Sequence, residues 1–314
     1  MKGRSVLLWL AGGLVLATLA SLNPTLELTR DRFRYLFVFD ITHSMYVEDA
    51  AAGQAPSTRL AWAKAEVRRG LAELPCGSQV SMAVFTEHRT FVLFTPVEVC
   101  RHLADLDRVL SDIDWRMAWA ASSEVSKGLF ASLRLAPELG ADTRVVFLTD
   151  GHEAPPLHER IRPRFRLGPE PVGGLLAGIG GDVPAPIPKP GSNGNWYTHA
   201  EVAQVDTYRL GRVATSVNEP LVGVDGSDVE ARIAAGTEHL SQLRESHLES
   251  LAAQTGLGYV RLNTPGVLAR NLRRRDLAYH EAGPVPLGWA FGLAALICVV
   301  LAHRPTGYGS VGST

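Results

Sequence analysis

The residues best suited to chemistry stand at the ends of two apolar runs. The first run, YLFVFD, closes on Asp40, and Asp40-Ile41-Thr42-His43-Ser44 sets a carboxylate and two hydroxyls at alternating positions. Alternation turns both hydroxyls toward the carboxylate. The second run, TRVVFLTD from Thr143, closes on Asp150. Between them, Ser122-Ser123-Glu124-Val125 offers one more hydroxyl from either serine. Two carboxylates with three hydroxyls, and no thiolate or imidazole cluster, make an all-oxygen set that suits Mg²⁺ or another hard divalent cation such as Mn²⁺ or Ca²⁺. Mg²⁺ prefers about six oxygens and keeps waters. A set this short leaves an open position for the carboxylate of a partner protein.

Neighbouring groups fit other chemistries poorly. His43 alternates away from Thr42 and Ser44, toward solvent or a partner. Glu48 and Asp49 read as a solvated rim able to tune the metal. His152 and Glu153 lack the second histidine of a zinc-binding HExxH helix. An aspartate after an apolar strand also opens phosphatases of the haloacid-dehalogenase type. Those need a second acid two residues on, where Thr42 stands. No GxSxG elbow or P-loop is present, and Gly178-Ile179-Gly180-Gly181 runs into Asp182, Val183 and Pro184 rather than a helix. The expectation is a binding module and not an enzyme.

The elements that must position these groups alternate in type. Leu60, Ala63, Val67, Leu71 and Leu74 recur at helical spacing, with Ser57 or Thr58 as N-cap and Pro75 as stop. QVSMAVFT and TFVLFTPV flank a polar TEHR turn and predict a β-hairpin. Leu103, Leu106, Leu110 and Ile113 mark one helix, and Val125, Leu129 and Leu133 another. GGLLAGIGG predicts a further strand. Leu240, Leu243, Leu248 and Leu251 predict a late helix capped by Gly256, followed by a strand YVRL. Alternating strands and helices imply an α/β fold with a mostly parallel, doubly wound sheet and one antiparallel edge hairpin. Ligands of such sheets bind outside the carboxyl ends of the strands, where Asp40 and Asp150 fall. Between Pro155 and Pro190 lie nine of the nineteen prolines, so residues near 152–195 form an irregular excursion.

The 314 residues carry 31 Lys plus Arg against 32 Asp plus Glu, which gives no basic excess for nucleic acid. Two stretches are uncharged, Ser5 to Thr25 and Ala282 to Ala302. Each is long enough for a hydrocarbon core of about 30 Å, which takes about 20 residues. The first is a membrane anchor or a cleavable signal (residues 1–29), and the second a C-terminal transmembrane helix with a short tail (281–314). Residues 30–280 are the domain between. Lys2 and Arg4 favour an inside N-terminus and a domain outside a bacterial inner membrane, in the periplasm. Arg30, Arg32, Arg34 and Arg273-Arg274-Arg275 run against that rule, but long domains translocate largely regardless of charge.

Cys76 and Cys100 each stand twelve residues from His88 in the hairpin turn. Antiparallel neighbours lie about 4.5–5.5 Å apart, within disulfide reach. A disulfide would mean an oxidising compartment, and two free thiols a reducing one. A soft-metal set of Cys76, Cys100 and His102 is the less economical alternative. Cys298 falls in the second apolar stretch.

Asp40-x-Thr42-x-Ser44 after its strand, Ser123 in SSEVSKGL, and Leu148-Thr149-Asp150-Gly151 resemble the metal-ion-dependent adhesion site of a von Willebrand factor A domain. The resemblance covers roughly residues 34–280 and implies the Rossmann-like fold of that family. It implies Mg²⁺ held by Asp40, Thr42 and Ser44, by the hydroxyl of Ser123 rather than Ser122, and by Asp150 partly through water. Thr42 stands where serine is commoner and Ser123 where threonine is, and both keep the hydroxyl. FVFDITHSMYVED, LPCGS, FTPVEVC and DWRMAWAASSEVSKGL are similar to membrane-anchored members encoded beside methanol dehydrogenase and a MoxR-type AAA+ ATPase. That implies an accessory protein for maturation or metal loading of a periplasmic dehydrogenase. The alternative is a component of an aerotolerance-type envelope-stress complex, which shares the site.

Overall fold

β2 (Arg34–Asp40) is buried along nearly its whole length, as its unbroken apolar run requires, and it lies at the centre of the molecule's main sheet. The computed structural model describes residues 2–50, 57–120, 122–154, 171–189, 191, 194–198, 201 and 239–303. Much of the proline-rich excursion and the C-terminal tail lie outside them. Two compact units are present, Arg32–Tyr279 and a second made of Met1–Asp31 with His280–Thr314.

In the larger unit the strands are β2, β3 (Gln79–Thr86), β4 (Arg89–Glu98), β5 (Arg144–Thr149), β6 (Gly174–Gly178) and β9 (Gly258–Arg261). They form one sheet in the order β4-β3-β2-β5-β6-β9. Only β4 is antiparallel, as the hairpin partner of β3. It is an edge strand, where Pro96 removes no essential ladder bond. A short antiparallel pair, β7 (Ala185–Pro186) with β8 (Leu240–Ser241), lies apart from this sheet.

Successive residues of β2 face opposite cores. Tyr35, Phe37 and Phe39 pack with Leu60, Ala63 and Val67 of α2 (Arg59–Glu73), Leu106 and Leu110 of α3 (Leu103–Asp112), and Leu268 and Leu272 of α6 (Val267–Leu272). Leu36 and Val38 pack with Val125, Leu129 and Leu133 of α4 (Val125–Leu135), and with Leu248 and Leu251 of α5 (Glu245–Thr255). Helices on both faces make the sheet doubly wound, as the sequence predicts. The buried Glu66 accepts the Gly266 and Leu268 amides at the start of α6, at 2.9 and 3.2 Å. The tyrosine hydroxyl of Tyr35 donates to the Leu272 carbonyl.

The late helix begins at Glu245 and not at Leu240. Leu240 belongs to β8 and Leu243 to the connection, although Leu243 still packs in the same core. Apolar spacing marks a buried face and does not by itself distinguish helix from loop. Gly256 ends the helix with φ 75°, the left-handed cap that glycine supplies. The Cys76–Cys100 disulfide is formed, with the Cα atoms 5.2 Å apart. Its sulfurs are therefore not thiolate ligands for a soft metal.

The smaller unit joins α1 (Lys2–Leu22), β1 (Thr25–Arg32), β10 (Tyr279–Pro286) and α7 (Gly288–Ala302). β1 and β10 form a two-stranded ribbon. Part of the second uncharged stretch is thus strand, and only fifteen residues of it are helical. α1 and α7 pack together at Gly13, where an added Cβ would sit 3.4 Å from that of Cys298. Both helices expose large apolar side chains, including Leu8 and Leu14 on α1 and Trp289 and Leu296 on α7. Among the described residues, no helix is long and apolar enough to cross a membrane.

Candidate metal centre

The parallel register brings the two acid-bearing strand ends together. Asp40 pairs with Phe85 on β3, and Phe39 with Leu148 on β5. Asp150 follows β5 directly, so both carboxylates emerge at the carboxyl edge from adjacent central strands. Both are fully buried.

The loop after β2 folds back on its own aspartate. Asp40 Oδ1 accepts the Thr42 amide at 3.0 Å and the Thr42 hydroxyl at 2.6 Å, a local turn that aspartate favours. Ile41 and Met45, fully buried, pin the loop into the core on either side. Ser44 Oγ lies 3.4 Å from Thr42 Oγ1. Asp40 Oδ2 accepts the hydroxyl of Thr149 at 2.6 Å. The Thr42 hydroxyl thus faces Asp40, while Ser44 lies in a 3-10 turn, His43–Tyr46, and comes near through that turn and not through strand alternation.

Ser123 arrives by a different route. Its backbone bridges to Glu87, just past β3, and to Ala154, just past Asp150. The paired amide–carbonyl bonds to Ala154 are both 2.7 Å. Gly128 lets α4 press onto the sheet, since a Cβ there would fall 2.0 Å from the Phe85 ring. Ser123 is buried and Ser122 only half-buried. Among the described residues, the Ser123 hydroxyl has no hydrogen-bond partner. A buried hydroxyl without a partner is costly unless a ligand completes it.

Electrostatics separates the two acids. Burial, then the nearby Asp150 carboxylate, pushes Asp40 up to about 7 despite its hydroxyl and amide donors. Asp150 experiences the same burial as its largest influence, yet the Arg59 guanidinium, with His152 and hydrogen-bond donors adding to it, holds the carboxyl below the usual range. Its Oδ1 accepts the His152 amide at 2.9 Å. Its Oδ2 accepts Arg59 Nη1 at 2.5 Å and the Ser241 hydroxyl at 2.9 Å.

Arg59 and Ser241 are the site residues that motif reading misses, and Thr149 stands in its motif without the role that its bond to Asp40 gives it. Arg59 did leave a signal. It shares the buried stripe of α2 with Ala63, Glu66 and Gly70, a place where an unpaired charge is not tolerated. Ser241 sits in a two-residue strand with no pattern to read. Asp49, read as rim, is only 20% exposed at its side chain and grips Arg59. His43 turns away from the site as expected, but it meets this chain itself. Its ring stacks on Tyr197 and shares a 3.0 Å hydrogen bond with the Tyr197 hydroxyl.

The donor set tests well against a hard cation. It consists of oxygen atoms, it includes an unpartnered buried hydroxyl, and it places two carboxylates where each opposes ionisation of the other. Asp150 is the exception, because one of its oxygens is already paired with the Arg59 guanidinium.

No protein-family model matches this chain, and no curated protein does. Solved structures with some likeness include an aerotolerance-related membrane protein from Bacteroides fragilis, 17% identical, covering 76% of this chain and 96% of that one, with a TM-score of 0.47. BatB from Bacteroides thetaiotaomicron is also 17% identical, covering 78% and 97%, with a TM-score of 0.49. A von Willebrand factor type A protein from Catenulispora acidiphila is 12% identical, covering 81% and 43%, with a TM-score of 0.38. Values this low leave the fold to be read from the chain's own strand order.

Proposed function

We propose that this chain is a von Willebrand A-like, metal-dependent protein-binding module held at a membrane. The observation that carries the reading is the Ser123 hydroxyl, buried without a partner among the described residues, beside a carboxyl edge that also bears Asp40, Thr42 and Ser44. In this reading Asp40, Thr42, Ser44 and Ser123 hold a cation such as Mg²⁺, and Asp150 reaches it through water. The bound cation supplies a Lewis-acidic position for an incoming carboxylate. The protein's part is to orient the hydroxyls, to exclude other donors and to keep Asp40 within reach of the ion.

Two observations support the membrane and its outer side. The large apolar side chains exposed on α1 and α7 suit a lipid environment better than water. The Cys76–Cys100 disulfide suits an oxidising compartment such as the periplasm. Attachment at a bacterial inner membrane through these apolar helices accommodates both.

The client is a finer matter. None of the similar structures reported above is described as a partner of methanol dehydrogenase or of a MoxR-type ATPase. Two carry the aerotolerance-related and BatB descriptions, in keeping with an envelope-complex component. The test is capture of partners by the full-length chain in mild detergent, with Mg²⁺ or with EDTA, beside Asp40→Ala. A partner retained only with Mg²⁺ and lost in the variant supports the module. Capture that ignores both changes overturns it.

A further inference from the structure

Arg59 has no exposed surface, and all of its donors are spent on the site and its rim. Nε and Nη2 grip Asp49 through both carboxylate oxygens, each at 2.7 Å. Nη1 reaches Asp150 at 2.5 Å, the Ser241 hydroxyl at 2.7 Å and the Ser44 carbonyl at 3.2 Å. Nη2 also reaches the Ser241 carbonyl at 3.2 Å. One side chain thus ties the loop carrying Thr42 and Ser44, the acid after β5, the rim acid and β8 to the first turn of α2. A guanidinium fork fits this role because it is planar, always charged and satisfies several acceptors at once.

We propose that Arg59 is a positioning residue that neutralises Asp150 from inside the protein, and so sets how tightly the metal is held at Asp40. The proposal rests on the metal-binding reading given above. Each acid accepts three donors, but those on Asp40 are neutral, whereas Asp150 Oδ2 is paired with the Arg59 guanidinium. The ion therefore meets one uncompensated carboxylate, Asp40, and the positive charge of Arg59 lies just behind the second. Asp49 draws that charge the other way. The two neighbours act with opposite sign. Removing Arg59 makes the site more negative, and removing the charge of Asp49 leaves Arg59 bearing undivided on Asp150.

Mn²⁺ titration of the full-length chain, followed by electron paramagnetic resonance, reads the affinity directly. Arg59→Gln is expected to tighten Mn²⁺ by about tenfold or more, since unit charges a few ångströms apart still interact strongly when partly buried. Arg59→Lys, which keeps the charge, is expected to stay near the wild-type affinity. Asp49→Asn is expected to weaken Mn²⁺ by a similar factor. If Arg59→Gln does not fold, Ser241→Ala, which removes a tie to Arg59 and no charge, decides: affinity near the wild-type value supports the proposal, and weakening like that of Asp49→Asn overturns it. A purely structural role would weaken binding in both Arg59→Gln and Asp49→Asn, and that result overturns the proposal. Equal affinities in all variants also overturn it while leaving the metal site intact. A wild-type chain that binds no Mn²⁺ overturns the metal reading itself, and this inference with it.

Discussion

Asp40 and Asp150 end neighbouring strands of one sheet, and both are fully buried, yet they are held in opposite ways. Asp40 is surrounded by neutral donors, namely Thr42 and Thr149 hydroxyls and the Thr42 amide. Asp150 is paired with a buried guanidinium. The first is pushed toward the protonated form, the second kept ionised. Burial alone raises the pKa of any carboxyl, so the charge of a buried acid is decided by its neighbour. A site built this way keeps one permanent charge and one that waits for a cation.

The comparison breaks most visibly at Arg59. Arg59→Gln should cost about 3–5 kcal/mol in EDTA, because it strands Asp150 in the interior. Mg²⁺ should return part of that loss, as measured by urea denaturation of the full-length chain with and without the ion. A cost under about 1 kcal/mol, the range of exposed pairs, would mean that Asp150 does not depend on its partner.

The disulfide supplies the control. Cys76 and Cys100 close a loop with a sequence separation of 24, outside the strands that carry the acids. Cys76→Ser with Cys100→Ser should cost about 3 kcal/mol on the loop-entropy estimate. The Mg²⁺-induced rise in melting temperature should survive it, and its disappearance would tie the metal response to general stability.

A pH series sharpens the contrast between the acids. In the folded, metal-free protein Asp40 keeps its proton up to about 7, whereas the unfolded chain releases it near 3.8. The folded state then binds more protons than the unfolded one, so stability falls as pH rises through that window. The burial-depressed His152 works the other way, adding stability as pH rises. The difference between wild type and Asp40→Asn in EDTA isolates the Asp40 contribution. Saturating Mg²⁺ should abolish the fall, and a flat difference curve in EDTA would contradict the contrast. Smaller still, Thr149→Val should cost about 1 kcal/mol through the lost hydrogen bond to Asp40, and denaturation in EDTA checks it.

The sheet could be read in advance because its central strands are unbroken apolar runs closed by acids, and β2 is buried as such a run demands. Asp40, Thr42 and Ser44 were legible as a spacing, but the 3-10 turn over His43–Tyr46 that brings Ser44 near Thr42 was not. Ser123 needed a resemblance, because two adjacent serines leave the choice open until the bridges to Glu87 and Ala154 bury one of them. Ser241 was not legible at all. It reaches Asp150 from 91 residues away through a two-residue strand. The second apolar stretch misled for a physical reason. Absence of charge serves a ribbon strand as well as a helix, so residues 279–286 became β10.

The central claim is that a hard cation sits on Asp40 with its hydroxyl partners. Its most direct test is the number of Mn²⁺ ions bound by the full-length chain at saturation, in wild type and in Asp40→Asn. One ion per chain, displaced by Mg²⁺ and absent from the variant, is the result expected here. No bound ion in the wild type, or the same ion bound by Asp40→Asn, would contradict it.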